Sequence, residues 1–146
     1  MSKYLELKNN NQKRFYDFSE KHIYWIFAFS SKEFENKLKE HGLTKDEITS
    51  IGAGGCIKKE NRELYLNEMN RLNNYDPFKQ IIHDDDDEVK KAFIYELANH
   101  EYCITYNVDD TLDALGITYD ELTNDERLKR ILKEAVNEYL EDRDNF

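Results

Sequence analysis

The chain has 146 residues and a net charge of −10, and 39% of its residues are hydrophobic, 36% charged and 13% aromatic. This supply of large apolar rings can fill a core, so the composition excludes a disordered chain, while one proline and five glycines argue against a loop-rich or all-β fold. No apolar run approaches the roughly 20 residues that span a bilayer and the first residues lack a signal-peptide core, so we predict a single globular domain over residues 1–146 in the cytoplasm.

The first part of the chain predicts two helices separated by a strand. Residues 4–21 are expected to form a helix, and the continuous β-branched and aromatic run 23–29 is expected to form a central strand. Ser30 followed by Glu33 is a capping box, which begins the next helix. We expect that helix to end just before Gly42, because glycine easily adopts the left-handed conformation.

A glycine-rich turn at residues 52–55 is expected to join two short strands, near 49–52 and 55–59. The alternative is a loop that binds a phosphate group. That motif needs a third glycine where Ile57 stands, and the lysine that usually closes such a loop is not in place. The pattern therefore favours a hairpin.

The rest of the chain predicts only helices. Leu64, Leu66, Met69 and Leu72 indicate the apolar face of an amphipathic helix over residues 60–75. Further helices are expected over 78–83, 86–104 and 124–141, and short ones just before Gly116 and after the capping residues Thr44, Thr118 and Thr123. The predicted fold class is α+β and mostly helical, with five to seven helices packed on a small two- to three-stranded sheet that has strands near 23–29, 49–52 and 55–59.

The helix expected over residues 86–104 carries one polar pair on its apolar face. Glu96 and His100 fall within the same arc as Val89, Phe93 and Leu97, and they lie one helical turn apart. A buried carboxylate or imidazole needs partners. Three interpretations stay open: a hydrogen-bonded structural pair, two ligands of a metal site, and general acid–base catalysis.

The negative charge is concentrated in residues 84–126, which hold two Lys or Arg against 14 Asp or Glu, whereas residues 1–60 carry +2. Such a field repels nucleic acid backbones and attracts basic surfaces. An EF-hand is not indicated, because Leu112 stands where that loop requires glycine. The candidate binding surface consists of Asp84, Asp85, Asp86, Asp87, Glu88, Asp109, Asp110, Asp113, Asp120 and Glu121.

Four stretches occur in one order along the chain: IFAFS at 26–30, SIGAGG at 50–55, YELANHEY at 95–102 and DALGIT at 113–118. In this combination the chain resembles an uncharacterised family of small acidic proteins from bacterial phages and mobile genetic elements. The resemblance covers about residues 23 to 135 and implies no activity. It does imply a setting, since mobile elements often encode small proteins that act on host machinery.

These observations lead to a functional prediction of a non-enzymatic binding protein. Its acidic surface would bind the basic surface of a host protein in place of nucleic acid, and would so inhibit a nucleic-acid-handling defence enzyme in the bacterial cytoplasm. We expect no cofactor, no membrane partner and no direct contact with nucleic acid. The alternative prediction is a small metal-dependent or acid–base enzyme centred on Glu96 and His100.

Overall fold

The chain forms a mostly helical α+β fold. A computed structural model describes residues 1–144. Within this range there are nine α-helices, slightly more than expected, and one three-stranded antiparallel sheet. The helices are α1 (Lys3–His22), α2 (Ser31–Glu40), α3 (Arg62–Asn73), α4 (Pro77–Ile81), α5 (Asp86–Asn99), α6 (Tyr102–Thr105), α7 (Asp109–Leu115), α8 (Tyr119–Thr123) and α9 (Glu126–Asp144). The strands are β1 (Tyr24–Trp25), β2 (Ile48–Gly52) and β3 (Gly55–Lys58). None of the described helices combines the length and apolar character that crossing a membrane requires.

The chain divides into two compact units. Unit 1 contains Met1–Asn9 and the chain from Asp76 onward, and unit 2 contains Asn10–Tyr75. Each unit has its own cluster of buried apolar side chains. Unit 2 is close to neutral, with eleven Lys or Arg against ten Asp or Glu, so the excess negative charge of the chain belongs to unit 1.

The sheet of unit 2 has the strand order β1-β3-β2, so β3 is central and β1 lies at an edge. The prediction of a central strand over residues 23–29 is therefore wrong, since only Tyr24 and Trp25 pair as a strand. Beyond them, Phe27 and Phe29 are 64% and 99% exposed. A continuous apolar run indicates burial on both faces, but here alternate side chains point to solvent.

The predicted hairpin is confirmed, because β2 pairs with β3 through the turn at residues 52–55. Gly52, Ala53 and Gly54 all have positive φ angles, of 90°, 52° and 82°. Gly54 is needed for a second reason: a Cβ atom there would lie 2.6 Å from the ring of Phe27. A side chain at position 54 would therefore displace Phe27.

The N-cap hydrogen bonds of two of the predicted capping boxes are confirmed. The Ser30 hydroxyl accepts a hydrogen bond from the Glu33 amide at 3.1 Å, and the Thr118 hydroxyl accepts one from the Glu121 amide at 3.0 Å. The start predicted at Thr123 is wrong: the Asp125 carboxylate caps α9 by accepting from the Leu128 amide at 3.0 Å. A carboxylate at this position also interacts favourably with the positive end of the helix dipole.

The face assigned to α3 is also corrected. Leu64 and Leu66 are half exposed, at 50% and 54%, whereas Glu68 is only 7% exposed. Periodicity assigns apolar residues to the buried face, and it misses a carboxylate that is buried because cations surround it.

The core of unit 1 is built around α5, which buries Val89, Ala92, Phe93 and Leu97 and packs against α7 and α9. The helix predicted over 86–104 ends early. It stops at Asn99, and Glu101 adopts the left-handed conformation with a φ angle of 53° before α6 begins.

Candidate functional site

The ten carboxylates of the predicted binding surface belong to two groups with different surroundings. The α5 cap group is Asp84, Asp85, Asp86, Asp87 and Glu88, at and just before the start of α5. The α7–α8 group is Asp109, Asp110, Asp113, Asp120 and Glu121, on the two consecutive short helices. Both groups lie in unit 1.

Cations from α9 compensate the centre of the α5 cap group. Asp86 accepts a hydrogen bond from Arg127 Nε at 2.8 Å and another from an Arg130 guanidinium nitrogen at 2.7 Å. The hydrogen bonds from Arg130 and from Arg127 hold the pKa of Asp86 below its usual range. Arg127 also donates to the carbonyl oxygens of Ile82 and Asp84, at 2.7 and 2.6 Å. The guanidinium thus ties the start of α9 to the residues that lead into α5.

The other members of the α5 cap group are bound as well. Asp85 is the N-cap of α5 and accepts from the Glu88 amide at 2.9 Å. The remaining contacts are Lys3 Nζ to Asp84 at 3.1 Å, the Lys3 amide to Glu88 at 2.9 Å, and Lys91 Nζ to Asp87 at 3.3 Å and to Glu88 at 3.8 Å. This part of the predicted surface therefore offers a partner far less free charge than its sequence indicates.

The α7–α8 group is exposed and uncompensated. Within residues 1–144, none of its five carboxylates lies within 4.0 Å of a cationic nitrogen. The helices hold these side chains outward because Leu112, Leu115 and Leu122 face the core. Tyr119 on α8 is 62% exposed, and Ile104 and Tyr106, which precede α7, are 70% and 68% exposed. Exposed tyrosines supply large contact areas at protein interfaces.

Glu96 on α5 is completely buried and holds a network of hydrogen bonds. Its Oε1 atom accepts from the Tyr4 hydroxyl at 2.9 Å and from Lys8 Nζ at 2.8 Å, and Oε2 lies 3.2 Å from His100 Nε2. The Lys8 ammonium also lies 5.2 Å from the centre of the Tyr95 ring. Every oxygen of the buried carboxylate therefore has a donor within reach.

The surroundings of Glu96 determine its ionisation. Burial raises the pKa of this carboxyl, but hydrogen bonds from Lys8, Tyr4 and Asn99 and the charge of Lys8 together leave the pKa below its usual range. Burial, with the adjacent Glu96 charge, raises the pKa of the Tyr4 hydroxyl. The network accordingly contains a carboxylate, an ammonium and a neutral phenol.

His100 is placed differently from its prediction. It is the C-cap of α5 and its side chain is 31% exposed, so it lies at the end of the apolar stripe and is only partly covered. Its contact with Glu96 is present as expected, but Glu96 has Tyr4 and Lys8 as its principal partners. Sequence spacing within one helix could not reveal them, because they lie 92 and 88 residues away.

The arrangement of potential ligands in the described residues does not support the interpretation of Glu96 and His100 as part of a metal site. Among residues 1–144, no three His, Cys, Asp or Glu side chains are grouped so that they could hold a metal ion. The contact between Glu96 Oε2 and His100 Nε2 spans 3.2 Å, and His100 is the member of the pair in contact with solvent.

Within residues 1–144, the fold and the site together define a class: a mostly helical α+β protein with a buried carboxylate network around Glu96 and an uncompensated acidic group on α7 and α8. The chain belongs to DUF7659, a family of unknown function, whose model matches residues 3–138. This match confirms the resemblance to an uncharacterised family. No curated protein and no solved structure matches the chain.

Proposed function

We propose that the protein is a non-enzymatic binding protein whose α7–α8 group docks on a basic surface of a host protein. The observation that carries the proposal is the exposure of five carboxylates without a cationic neighbour among residues 1–144. Uncompensated charge of one sign accelerates encounter with a surface of the opposite sign and makes the association sensitive to salt. The exposed Tyr106 and Tyr119 would add apolar contact area.

The finer part of the proposal concerns the partner. Carboxylates on α7 and α8 would take the place of backbone phosphates in a groove that normally binds nucleic acid, and the protein would so inhibit a nucleic-acid-handling defence enzyme. The resemblance to proteins of phages and mobile elements supports this setting, in the cytoplasm of a bacterial host. The concentration of the chain's excess negative charge in unit 1 supports the choice of a basic groove.

The α5 cap group is left out of the proposed docking surface. Its charges stabilise the start of α5 and bind Arg127 and Arg130, and a partner would have to displace those contacts. The proposed docking surface therefore contains only five of the ten carboxylates in the binding surface that the sequence predicts.

The test neutralises the α7–α8 group by combining Asp109→Asn, Asp110→Asn, Asp113→Asn, Asp120→Asn and Glu121→Gln. A short arginine-rich peptide serves as the basic probe, and its affinity is measured by calorimetry at low and at physiological salt. Wild type should bind, with affinity that falls as salt increases. The variant should bind at least about tenfold more weakly at low salt, because the local field is removed.

A matched control variant distinguishes the effect of the α7–α8 group on binding from the effect of the net charge. Five exposed carboxylates of unit 2 also make no ion pair with any described residue; they are Glu20, Glu40, Asp46, Glu60 and Glu63. Neutralising these five changes the net charge by the same amount and should leave binding intact. Equal losses in both variants would show that net charge alone determines binding, and the proposed docking surface would then be wrong.

The alternative, a small enzyme centred on Glu96 and His100, has its own test. Elemental analysis of purified wild type and His100→Ala would show whether a stoichiometric metal is present and whether it depends on this histidine. The alternative has less support from the geometry, because the oxygens of Glu96 are already close to three donors.

A further inference from the structure

A second candidate site lies in unit 2, in a cleft of about 390 Å³ between α1 and α3. This volume falls within the range of pockets that bind small molecules. Its lining comes from the last turns of α1 and the middle of α3, in the residues Arg14, Asp17, Phe18, Lys21, His22, Leu64, Asn67, Glu68 and Arg71. None of these belongs to the docking surface proposed above.

Glu68 positions two guanidinium groups in the wall of this cleft. It is 7% exposed, and its carboxylate accepts from Arg71 at two points, Nε at 3.2 Å and a terminal nitrogen at 2.5 Å. A terminal nitrogen of Arg14 lies 3.5 Å from the same carboxylate, and Arg71 also donates to Asn11 at 2.6 Å. Hydrogen bonds from Arg71 keep the pKa of Glu68 low although burial opposes this. The carboxylate therefore stays ionised and fixes both cations.

The charges in the cleft do not cancel. One Glu68 carboxylate is shared by two guanidinium groups, and Lys21 adds a further cation that makes no ion pair with any described residue. Asp17 is the other acidic residue in the lining, and it likewise has no cation within 4.0 Å among residues 1–144. Three cations, two of them held by Glu68, against two carboxylates favour an anionic ligand.

The remaining lining residues offer a surface for a flat apolar body. The Phe18 ring packs against the His22 ring, with their centroids 4.8 Å apart, and Leu64 contributes an aliphatic side chain from α3. Leu64 is 50% exposed, so a ligand that covers it removes apolar area from water. Aromatic rings pack well on such a surface.

We propose that this cleft binds a small organic anion that carries a planar ring, with the ring against Phe18 and Leu64 and the anionic group near Arg14 and Lys21. The anionic group is a carboxylate or a phosphate ester, which share the ability to accept charge-assisted hydrogen bonds from these cations. The proposal is independent of the docking surface on α7 and α8.

The test is a titration of the full-length protein followed by the shifts of its backbone amide signals in NMR spectra. Indoleacetate and adenosine monophosphate are the anionic probes, and indoleacetamide and adenosine are their neutral counterparts. At least one anion should shift amides of α1 and α3 in a saturable manner, and its identity distinguishes carboxylate from phosphate ester. The proposal is overturned if neither anion binds, or if the neutral counterpart binds as well as the anion.

Variants locate the binding. Lys21→Gln and Arg14→Gln should each weaken the bound anion by about tenfold, since each removes a charged donor. Lys13→Gln is the control, because Lys13 is an exposed lysine of α1 outside the lining. The same spectra report whether each variant is folded. Unchanged affinity in both cleft variants, or an equal loss in Lys13→Gln, would overturn the assignment.

Discussion

Glu96 is the residue on which the polar contacts inside unit 1 converge. It joins the first helix, through Tyr4 and Lys8, to the central helix α5, and its backbone carbonyl also lies 3.4 Å from the Thr111 hydroxyl of α7. A carboxylate buried this deeply is tolerated only because donors surround it. The stability of unit 1 should therefore depend on this charge.

We predict that Glu96→Gln lowers the free energy of unfolding by about 1–3 kcal/mol, because the amide has the same size but leaves the Lys8 ammonium without its counter-charge. Urea unfolding at neutral pH measures the change. Glu101→Gln is the control, since Glu101 is exposed and makes no ion pair with any described residue. If the two substitutions lower the free energy of unfolding equally, the buried charge of Glu96 does not stabilise unit 1 in the way proposed.

The ionisation of Glu96 also predicts that the free energy of unfolding depends on pH. Because the pKa of Glu96 lies below its usual range in the folded chain, the charge contributes stability that is fully present above the unfolded-state pKa. That contribution is lost as the pH falls through the folded-state pKa. The difference in unfolding free energy between wild type and Glu96→Gln should therefore be largest at neutral pH and shrink on acidification. A difference that stays constant with pH would contradict this explanation.

Contacts between residues that are close in the sequence could be predicted, whereas contacts between residues that are distant in the sequence could not. Ser30 and Thr118 were identified as caps because the backbone amides that donate to their hydroxyls lie three residues away. Glu96 was identified as a buried group that needs partners, but Tyr4 and Lys8 could not be found, because no periodicity connects residues so far apart in the chain. Glu68 was missed because its position follows from Arg71 and Arg14, not from hydrophobicity.

Between elements, the contact of Arg127 is the most informative. This one side chain reaches the Asp86 carboxylate and two backbone carbonyls, so it connects α9 with both α4 and α5. Among residues 1–144, Arg130 reaches only Asp86 and Glu134, and its side chain is 53% exposed. The planar fork of an arginine suits several acceptors at once, which a lysine cannot reproduce.

We predict that Arg127→Lys destabilises the protein by about 1–2 kcal/mol, since at least one of the carbonyl oxygens of Ile82 and Asp84 loses its donor. Arg130→Lys, which retains the charge beside Asp86, should have a smaller effect. Thermal unfolding of both variants alongside wild type measures the two changes. An equal loss in both would mean that the carbonyl contacts are unimportant.

The elements themselves were predicted better than their environments. The hairpin over 48–58 follows from glycines that permit positive φ angles, and its position was confirmed. The run 23–29 was placed at the centre of the sheet because of its composition alone, whereas the pairing of β3 with both neighbours leaves β1 at the edge. Hydrophobicity does not specify strand order.

For the whole molecule, the prediction of a single domain over residues 1–146 is still open to experiment. Trp25 is the only tryptophan and lies in unit 2, so its fluorescence reports on that unit. Helical circular dichroism is dominated by unit 1, which contains α4 to α9. Helix α1 has residues in both units, and we therefore expect the two signals to follow one urea transition. Separate transitions would contradict the single-domain prediction.

At the scale of the whole molecule, the count of charges along the sequence can be interpreted only together with the fold. The segment 84–126 is strongly negative in sequence, but Arg127 and Arg130 follow just after it and Lys3 comes from the other end of the chain. Three-dimensional neighbours therefore divide one apparent acidic surface into a compensated α5 cap group and an uncompensated α7–α8 group. Only the second remains a candidate for binding.

The division of α1 between the two units has a consequence for the order of events during synthesis. Tyr4 and Lys8 are translated before their acceptor on α5, which follows 92 and 88 residues later in the chain. Unit 2 is continuous in sequence, so all its contacts can form while the ribosome is still producing α5 to α9. The nascent chain must then keep its first helical turns uncommitted, with the Tyr4 ring exposed, until the second half emerges to cover it.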